Sequence, residues 1–179
     1  MVKVLVVIDY QKDFVDGSLG FPKAEKLDPI IARKVRAHHP NPVFYTLDTH
    51  DEDYLETQEG EKLPVPHCIK GTEGHKIYGE TKEALEDVKA IPLEKFSFGI
   101  TPQGLQEQCF DYYFDEISSI EVVGVVTNIC VLSNVIILKT MYPEAEIIVD
   151  AEGCASFNEE LHEKTLDVLE GMQVVVRNR

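Results

Sequence analysis

The chain has 179 residues, 44% of them hydrophobic and 27% charged, a size and balance that fit one globular domain over 1–179 with a sizeable core. A formal net charge of −15 argues against nucleic acid and anionic membranes as partners, because phosphate binding needs a basic surface. No apolar run is long enough to span a membrane. The short apolar N-terminus ends in the charge of Asp9 with no small-residue cleavage site behind it, so no secretory signal is expected and the expected location is the cytoplasm.

Residues 2–8 form a continuous β-branched and apolar run, the pattern of a strand buried on both faces. Residues 24–38 read as a helix, with Ile30, Ile31, Lys34 and Val35 about one turn apart, and 42–47 as a second strand. The stretch 48–79 is long, polar and irregular. Its Pro64, Pro66, Cys68 and histidines point to an ordered functional loop. A short helix at 81–87 and a strand at 89–93 follow. A helix is then expected over 103–116, with Pro102 in its first turn. Residues 119–126 make a strongly apolar strand, 128–141 an apolar helix and 147–149 a strand. A helix at 158–170 takes Asn158 as N-cap, and 173–176 form a last strand.

The alternation predicts an α/β fold with right-handed crossovers and a largely parallel sheet covered by helices. Sites in such folds form beyond the carboxyl ends of strands. Asp9 ends the first strand, Asp48 and His50 follow the second, Lys95 follows the third and Cys130 follows the fourth, on the first turn of the next helix. A thiol there can be activated by backbone N–H groups, by a base such as Asp9 and by a cation such as Lys95. The same N–H groups can hold an oxyanion. Taken singly, each residue has a plainer role: a packed core thiol, a turn residue, a surface lysine.

The four cysteines, Cys68, Cys109, Cys130 and Cys154, form no CxxC pair, and reduced thiols are expected. Cys68 reads as buried. Asp48-Thr49-His50 places two potential ligands on one side of an extended segment, and His67 lies in a proline-stiffened stretch. A carboxylate with two imidazoles suits a divalent metal, Zn²⁺ first and also Fe²⁺ or Mn²⁺. The alternative is a set of hydrogen-bonded loop residues. Glu59 and Glu61 are further ligand candidates, and His38, His39, His75 and His162 read as surface residues.

Five segments together resemble the isochorismatase-like cysteine hydrolases, and within them the nicotinamidases, across essentially the whole chain. They are residues 7–14 (VIDYQKDF), Asp48-Thr49-His50, residues 67–74 (HCIKGTEG), Lys95-Phe96-Ser97-Phe98-Gly99, and residues 124–131 (GVVTNICV). The resemblance implies a three-layer, Rossmann-like fold with a six-stranded parallel sheet. It implies Asp9, Lys95 and Cys130 as the catalytic three. It also implies a cis peptide at Val126-Thr127 that aims the N–H groups of Thr127 and Cys130 at an oxyanion. Relatives that hydrolyse isochorismate lack the cysteine, so its presence implies amide cleavage. Relatives acting on ureido compounds, carbamoylsarcosine or maleamate typically lack the metal ligands, so Asp48, His50 and His67 imply a nicotinamidase-like site in which the metal meets the pyridine nitrogen. Pro64 stands where nicotinamidases place an aromatic three residues before His67. Phe14 is therefore expected to hold the substrate ring together with Phe96 or Phe98. The expected activity is hydrolysis of a small amide, with nicotinamide first, by a homo-oligomer. Another small amide or ureide (maleamate, carbamoylsarcosine or ureidoacrylate type) is the first alternative, and a non-catalytic metal- or ligand-binding relative the second.

Overall fold

The structure, a computed structural model, describes residues 1–108 and 117–179. Six strands, β1 (Val2–Ile8), β2 (Val43–Asp48), β3 (Ile91–Lys95), β4 (Ile117–Val125), β5 (Glu146–Ala155) and β6 (Val175–Arg177), form one sheet in the order β3-β2-β1-β4-β5-β6. Every neighbouring pair is parallel. β1 and β4 lie at the centre, which is why both are almost unbroken apolar runs: each face of the sheet is covered. Val4, Val6 and Ile8 point to one side and join Val135 and Leu138 of α7 (Leu132–Met141) and Leu166 and Leu169 of α8 (Glu159–Gly171). Leu5 and Val7 point to the other and join Ile31 and Val35 of α3 (Asp28–His38) and Ala84 and Leu85 of α5 (Gly79–Asp87). Full burial of side chains of this size stabilises the fold by about 1.5–3 kcal/mol each.

The shorter helices are α1 (Lys12–Val15), α2 (Pro22–Lys26), α4 (Gln58–Lys62) and α6 (Pro102–Glu107). The single helix expected at 24–38 is two, α2 and α3, because Pro29 at the start of α3 cannot continue a preceding helix. The Asp28 carboxylate beside it accepts the N–H groups of Glu80 and Thr81, 2.8 Å each, and so caps α5. Two strands begin later than expected for one shared reason. Lys89 (φ 55°) and Gln173 (φ 65°) are left-handed, and each closes the helix before it. The N–H groups of Ala90 and Val174 return to Leu85 and Leu169, and those of Lys89 and Gln173 to Glu86 and Glu170, a Schellman closure made without glycine. β5 is longer than 147–149, because its register shifts against β4 between Val122 and Gly124 and it carries on through Asp150, Glu152 and Gly153. The expected helix at 103–116 is seen as α6. Its remainder, with Cys109, lies outside the described residues. No helix among the described residues is long and apolar enough to cross a membrane.

Candidate active site

The carboxyl ends of β1, β2 and β3 and the turn after β4 converge on one point, and they bring together Asp9, Asp48, Lys95 and Cys130. Asp9 leaves β1 with φ 44°, a left-handed conformation costly for a residue with a side chain. Its neighbours fix it there. The Asp9 N–H donates to Thr46 Oγ1 at 3.0 Å, the Thr46 hydroxyl donates back to Asp9 Oδ1 at 2.6 Å, and the Gln11 N–H donates to the Asp9 carbonyl at 2.7 Å. Asp9 Oδ2 lies 2.8 Å from Lys95 Nζ and within hydrogen-bond reach of the Cys130 thiol, with no well-directed partner of its own. The side chains of Asp9 and Lys95 are wholly inaccessible.

Lys95 ends β3, and strand alternation aims it inward. Its ammonium donates to Asp48 Oδ1 at 2.8 Å and to the Ser97 carbonyl at 3.0 Å, and it sits 3.8 Å from Cys130 Sγ. Burial alone would lower its pKa, but the negative charges facing it, that of Asp9 foremost, raise it above the usual lysine value, so it stays an ammonium. The two carboxylates on either side of it diverge. Burial pushes Asp9 up against the pull of Lys95. Asp48 would also be raised by burial, but a hydrogen bond with His50 and the charge of Lys95 hold it at about 2. Asp9 is thus the carboxylate more ready to take a proton, and Asp48 the one that stays anionic.

Cys130 lies in a wide turn, Thr127–Val131, that leads into α7. Within it the N–H groups of Ile129 and Val131 both return to the Val126 carbonyl, at 3.0 and 3.2 Å. The expectation of a thiol lowered by a regular helix N-terminus is corrected: the turn is of π type, and burial pushes the Cys130 thiol well above its ordinary value against the pull of Lys95. The expected cis peptide at Val126-Thr127 is corrected too. The non-proline cis bond is Val125-Val126, one peptide earlier. The chain already turns there, at the end of β4, where Gly124 takes φ 125° and a Cβ would stand 2.1 Å from the Ile8 carbonyl oxygen. Val126 follows with ordinary extended angles and leads into the turn at Thr127.

The 48–79 loop folds back on the end of β2. The His50 N–H donates to the Cys68 carbonyl and the Lys70 N–H to the His50 carbonyl, at 3.1 and 2.8 Å, a short parallel bridge that sets His67 beside His50. Buried Gln11 fastens the base: its amide donates to the carbonyls of Asp48 and His75, 2.9 Å each, and its Oε1 accepts the Asp48 N–H at 2.8 Å. His50 Nε2 lies 3.0 Å, and His67 Nε2 3.7 Å, from Asp48 Oδ2. One ligand atom from each of the three residues falls within 4.8 Å of the others. The His67 Nδ1–H donates to the Val65 carbonyl at 2.8 Å, which leaves the Nε2 lone pair turned inward. The donor set fits a divalent metal: two atoms about 2.0–2.2 Å from one zinc at a tetrahedral angle lie roughly 3.3–3.6 Å apart, near the 3.0 and 3.7 Å that separate the Asp48 oxygen from the two imidazoles. Glu59 Oε1 stands further off, 3.9 and 3.8 Å from the two imidazoles. Glu61 is exposed away from them. Tyr54 packs on both imidazole rings, with centroids 4.7 and 5.0 Å away.

A cavity of about 380 Å³ opens over these groups. Asp48, Glu59, His67 and Cys130 supply its polar lining, and Phe14, Phe21, Leu63, Phe98 and Phe157 much of its apolar wall. Phe14 also packs against His67, with centroids 5.4 Å apart. Phe98 is in the wall, as expected. Phe96 is not: it is 68% exposed and borders a separate surface depression, because it follows inward-pointing Lys95 and faces the opposite way. Phe157 and Phe21, paired edge to face at 6.1 Å, escaped notice, since nothing in their segments sets them apart from ordinary apolar residues. Gln11 and Thr46 escaped it as well, although Gln11 falls within the 7–14 segment. Cys68 and Cys154 are buried thiols held high by burial, Cys154 at about 12. His162, expected at the surface, is buried and hydrogen-bonded.

The family model described as the Isochorismatase domain matches residues 3–179. A Bacillus subtilis (strain 168) protein described as an uncharacterized isochorismatase family protein, PncA, is 31% identical, with 90% of this chain and 91% of that protein covered. The crystal structure of nicotinamidase/pyrazinamidase PncA from Bacillus subtilis superposes with a TM-score of 0.85 at 28% identity, over 98% of this chain and 99% of that one. That of the pyrazinamidase of Pyrococcus horikoshii in complex with zinc gives a TM-score of 0.80 at 19% identity over 98% of each chain, a likeness of fold.

Proposed function

Because the chain belongs to the isochorismatase domain family, we propose that it is a cysteine amidohydrolase acting on a small neutral amide, with nicotinamide, cleaved to nicotinate and ammonia, as the leading case. The observation that carries this reading is the inaccessible Asp9 carboxylate, 2.8 Å from Lys95 Nζ and within hydrogen-bond reach of the Cys130 thiol. A buried carboxylate held there by an ammonium is in place to receive the thiol proton.

Asp9 takes the proton of Cys130 as Sγ attacks the amide carbonyl, and the carbonyl electrons move to oxygen. Backbone N–H groups of the turn that carries Cys130, its own among them, are the donors proposed for that oxyanion. When the carbonyl re-forms, the C–N bond breaks and protonated Asp9 passes its proton to the leaving nitrogen, which departs as ammonia. Water then gives a proton to Asp9 and attacks the thioester, and the thiolate leaves and is reprotonated from Asp9. Lys95 holds Asp9 in position and offsets the negative charge shared by carboxylate and sulfur. Asp48, His50 and His67 would hold a divalent ion, zinc first, whose contribution when bound is a Lewis-acid contact that orients a pyridine-type nitrogen. The zinc in the Pyrococcus horikoshii pyrazinamidase supports that choice. Glu59 faces the same point from further away.

The cavity also bears on the substrate. Among its described lining residues none is Lys or Arg, and Lys95 beneath it is already shared between two carboxylates. Maleamate and ureido acids carry a carboxylate for which this wall offers no cationic side chain. The apolar wall instead suits an uncharged ring, with Phe14 and Phe98 taking the part for which Pro64 offers no aromatic.

The test is ammonia release from nicotinamide, pyrazinamide, maleamate and ureido acids, with and without chelator, for the wild type and Cys130→Ala. Release from the ring amides that Cys130→Ala abolishes is expected. Release from acidic substrates alone would overturn the substrate class, and undiminished release by Cys130→Ala would overturn the covalent route. No release at all, with a Cys130 thiol no more reactive than Cys68 and Cys154, would favour a binding protein.

A further inference from the structure

The turn that carries Cys130 is tied to the start of α8 by two side-chain hydrogen bonds that the reaction itself does not use. His162, 8% exposed, places Nδ1 2.8 Å from Oγ1 of fully buried Thr127. Next to it, the Ser156 hydroxyl donates to Asn128 Oδ1 at 2.7 Å and accepts the Asn158 N–H at 3.0 Å, while Asn158 Oδ1 caps α8 by accepting the Leu161 N–H at 3.0 Å. On the far side of the turn, the Asn134 amide donates to the Cys130 carbonyl at 2.7 Å. Burial pushes the pKa of His162 down against the pull of Glu159 and Glu163, which favours the neutral ring, and the tautomer sets whether Nδ1 accepts from the Thr127 hydroxyl or donates to it. Val126, Ile129 and Cys130, on the same turn, all line the cavity.

We propose that His162 is a positioning residue for the Cys130 chemistry: through its hydrogen bond with the Thr127 hydroxyl it fixes the turn from which the nucleophile and its neighbouring N–H groups meet the substrate. This rests on the cysteine-hydrolase reading of the site. A residue that only filled space could be replaced by an apolar side chain of similar volume without effect on turnover. A residue that sets the angle of the turn could not, because small misplacements of reacting groups cost rate steeply.

The experiment compares His162→Leu, His162→Asn, Thr127→Val and the His162→Leu/Thr127→Val double variant, using amide hydrogen exchange across 125–132 and steady-state ammonia release. His162→Leu is expected to speed exchange in the turn several-fold and to lower kcat roughly tenfold with KM held within about twofold, the scale of one lost hydrogen bond. His162→Asn, which keeps an acceptor near the Nδ1 position, should restore most of both. Thr127→Val should match His162→Leu, and the double variant should be no worse than either. Unchanged exchange and kcat in His162→Leu, or a loss confined to thermal stability or to KM, would overturn the proposal. Should the wild type release no ammonia from any amide, the reading of the site fails, and the exchange measurement still decides whether His162 fixes the turn.

Discussion

Asp9, Lys95 and Cys130 stand at or just past the ends of strands whose neighbours are set by the sheet, whereas His50, His67 and Glu59 stand on the 48–79 segment, which holds its shape through scattered hydrogen bonds. Asp9 and Lys95 are inaccessible and tightly paired, Cys130 and His67 are buried but reach the cavity wall, and Glu59 is partly open. Lys95 joins them, 2.8 Å from Asp9 on one side and 2.8 Å from Asp48 on the other. A site of this kind puts the bond-making groups on its most rigid elements and leaves substrate selection to a loop, which can change without disturbing the sheet. If that division holds, damage to the first group should show in kcat and stability, and damage to the second in KM.

The largest expected effect is that of Cys130→Ala, which should lower kcat by roughly 10⁵-fold or more while the folded state survives, since removing a nucleophile has effects of that order. Activity assays beside a thermal melt check it; substantial residual turnover would break the assignment. Lys95→Met comes next, and it should act on stability as well as rate. It removes the cation between two buried carboxylates and leaves Asp9 and Asp48 facing each other, a loss of about 3–5 kcal/mol by the usual cost of breaking a buried pair. Urea unfolding measures it. A Lys95→Met protein as stable as the wild type would mean that one carboxylate takes up a proton, and its activity should then be gone.

The loop group should behave differently. His50→Ala removes a ligand and is expected to weaken metal binding by more than the roughly 10–100-fold that loss of an outer-shell partner costs, and a chelator strips the ion outright. The loss of activity should then appear mainly in KM, and more for nicotinamide than for benzamide, which has no ring nitrogen. Equal losses for the two substrates, carried by kcat, would erase the boundary between the groups. Metal titration by calorimetry gives a reading independent of turnover.

The contrast also separates what the sequence discloses from what it hides. β1 and β4 announce themselves by unbroken apolar runs, and once the strands are placed the topology itself gathers Asp9, Asp48, Lys95 and Cys130. What stays hidden depends on single backbone angles or on distant partners. The left-handed Lys89 and Gln173 end two helices where glycine would have been the visible signal. The cis bond falls at Val125-Val126, just past Gly124 with its φ of 125°. Gln11 works through Asp48 and His75, far along the chain, and His162 looks like a surface residue of an amphipathic helix until α8 is packed against the Cys130 turn.

Phe96 and Phe98 give the finest test of the comparison, because they share a residue type and a segment and differ only in direction. Both are substantially exposed, 68% and 49%, so deleting either ring should cost little stability. Only Phe98 contributes to the cavity wall. Phe98→Ala should therefore raise KM for a ring amide several-fold, within the roughly 1–3 kcal/mol that an apolar contact in a pocket supplies, and leave kcat near the wild-type value. Phe96→Ala should change neither. If both variants raised KM alike, the 95–99 segment would have to turn on binding so that Phe96 also met the substrate, and the loop group would extend onto the end of β3. If Phe98→Ala lowered kcat instead, the ring would be acting on the Cys130 turn through Asn134, whose amide donates to the carbonyls of both Phe98 and Cys130. The wall of the cavity and the placement of the nucleophile would then be one system joined at that asparagine.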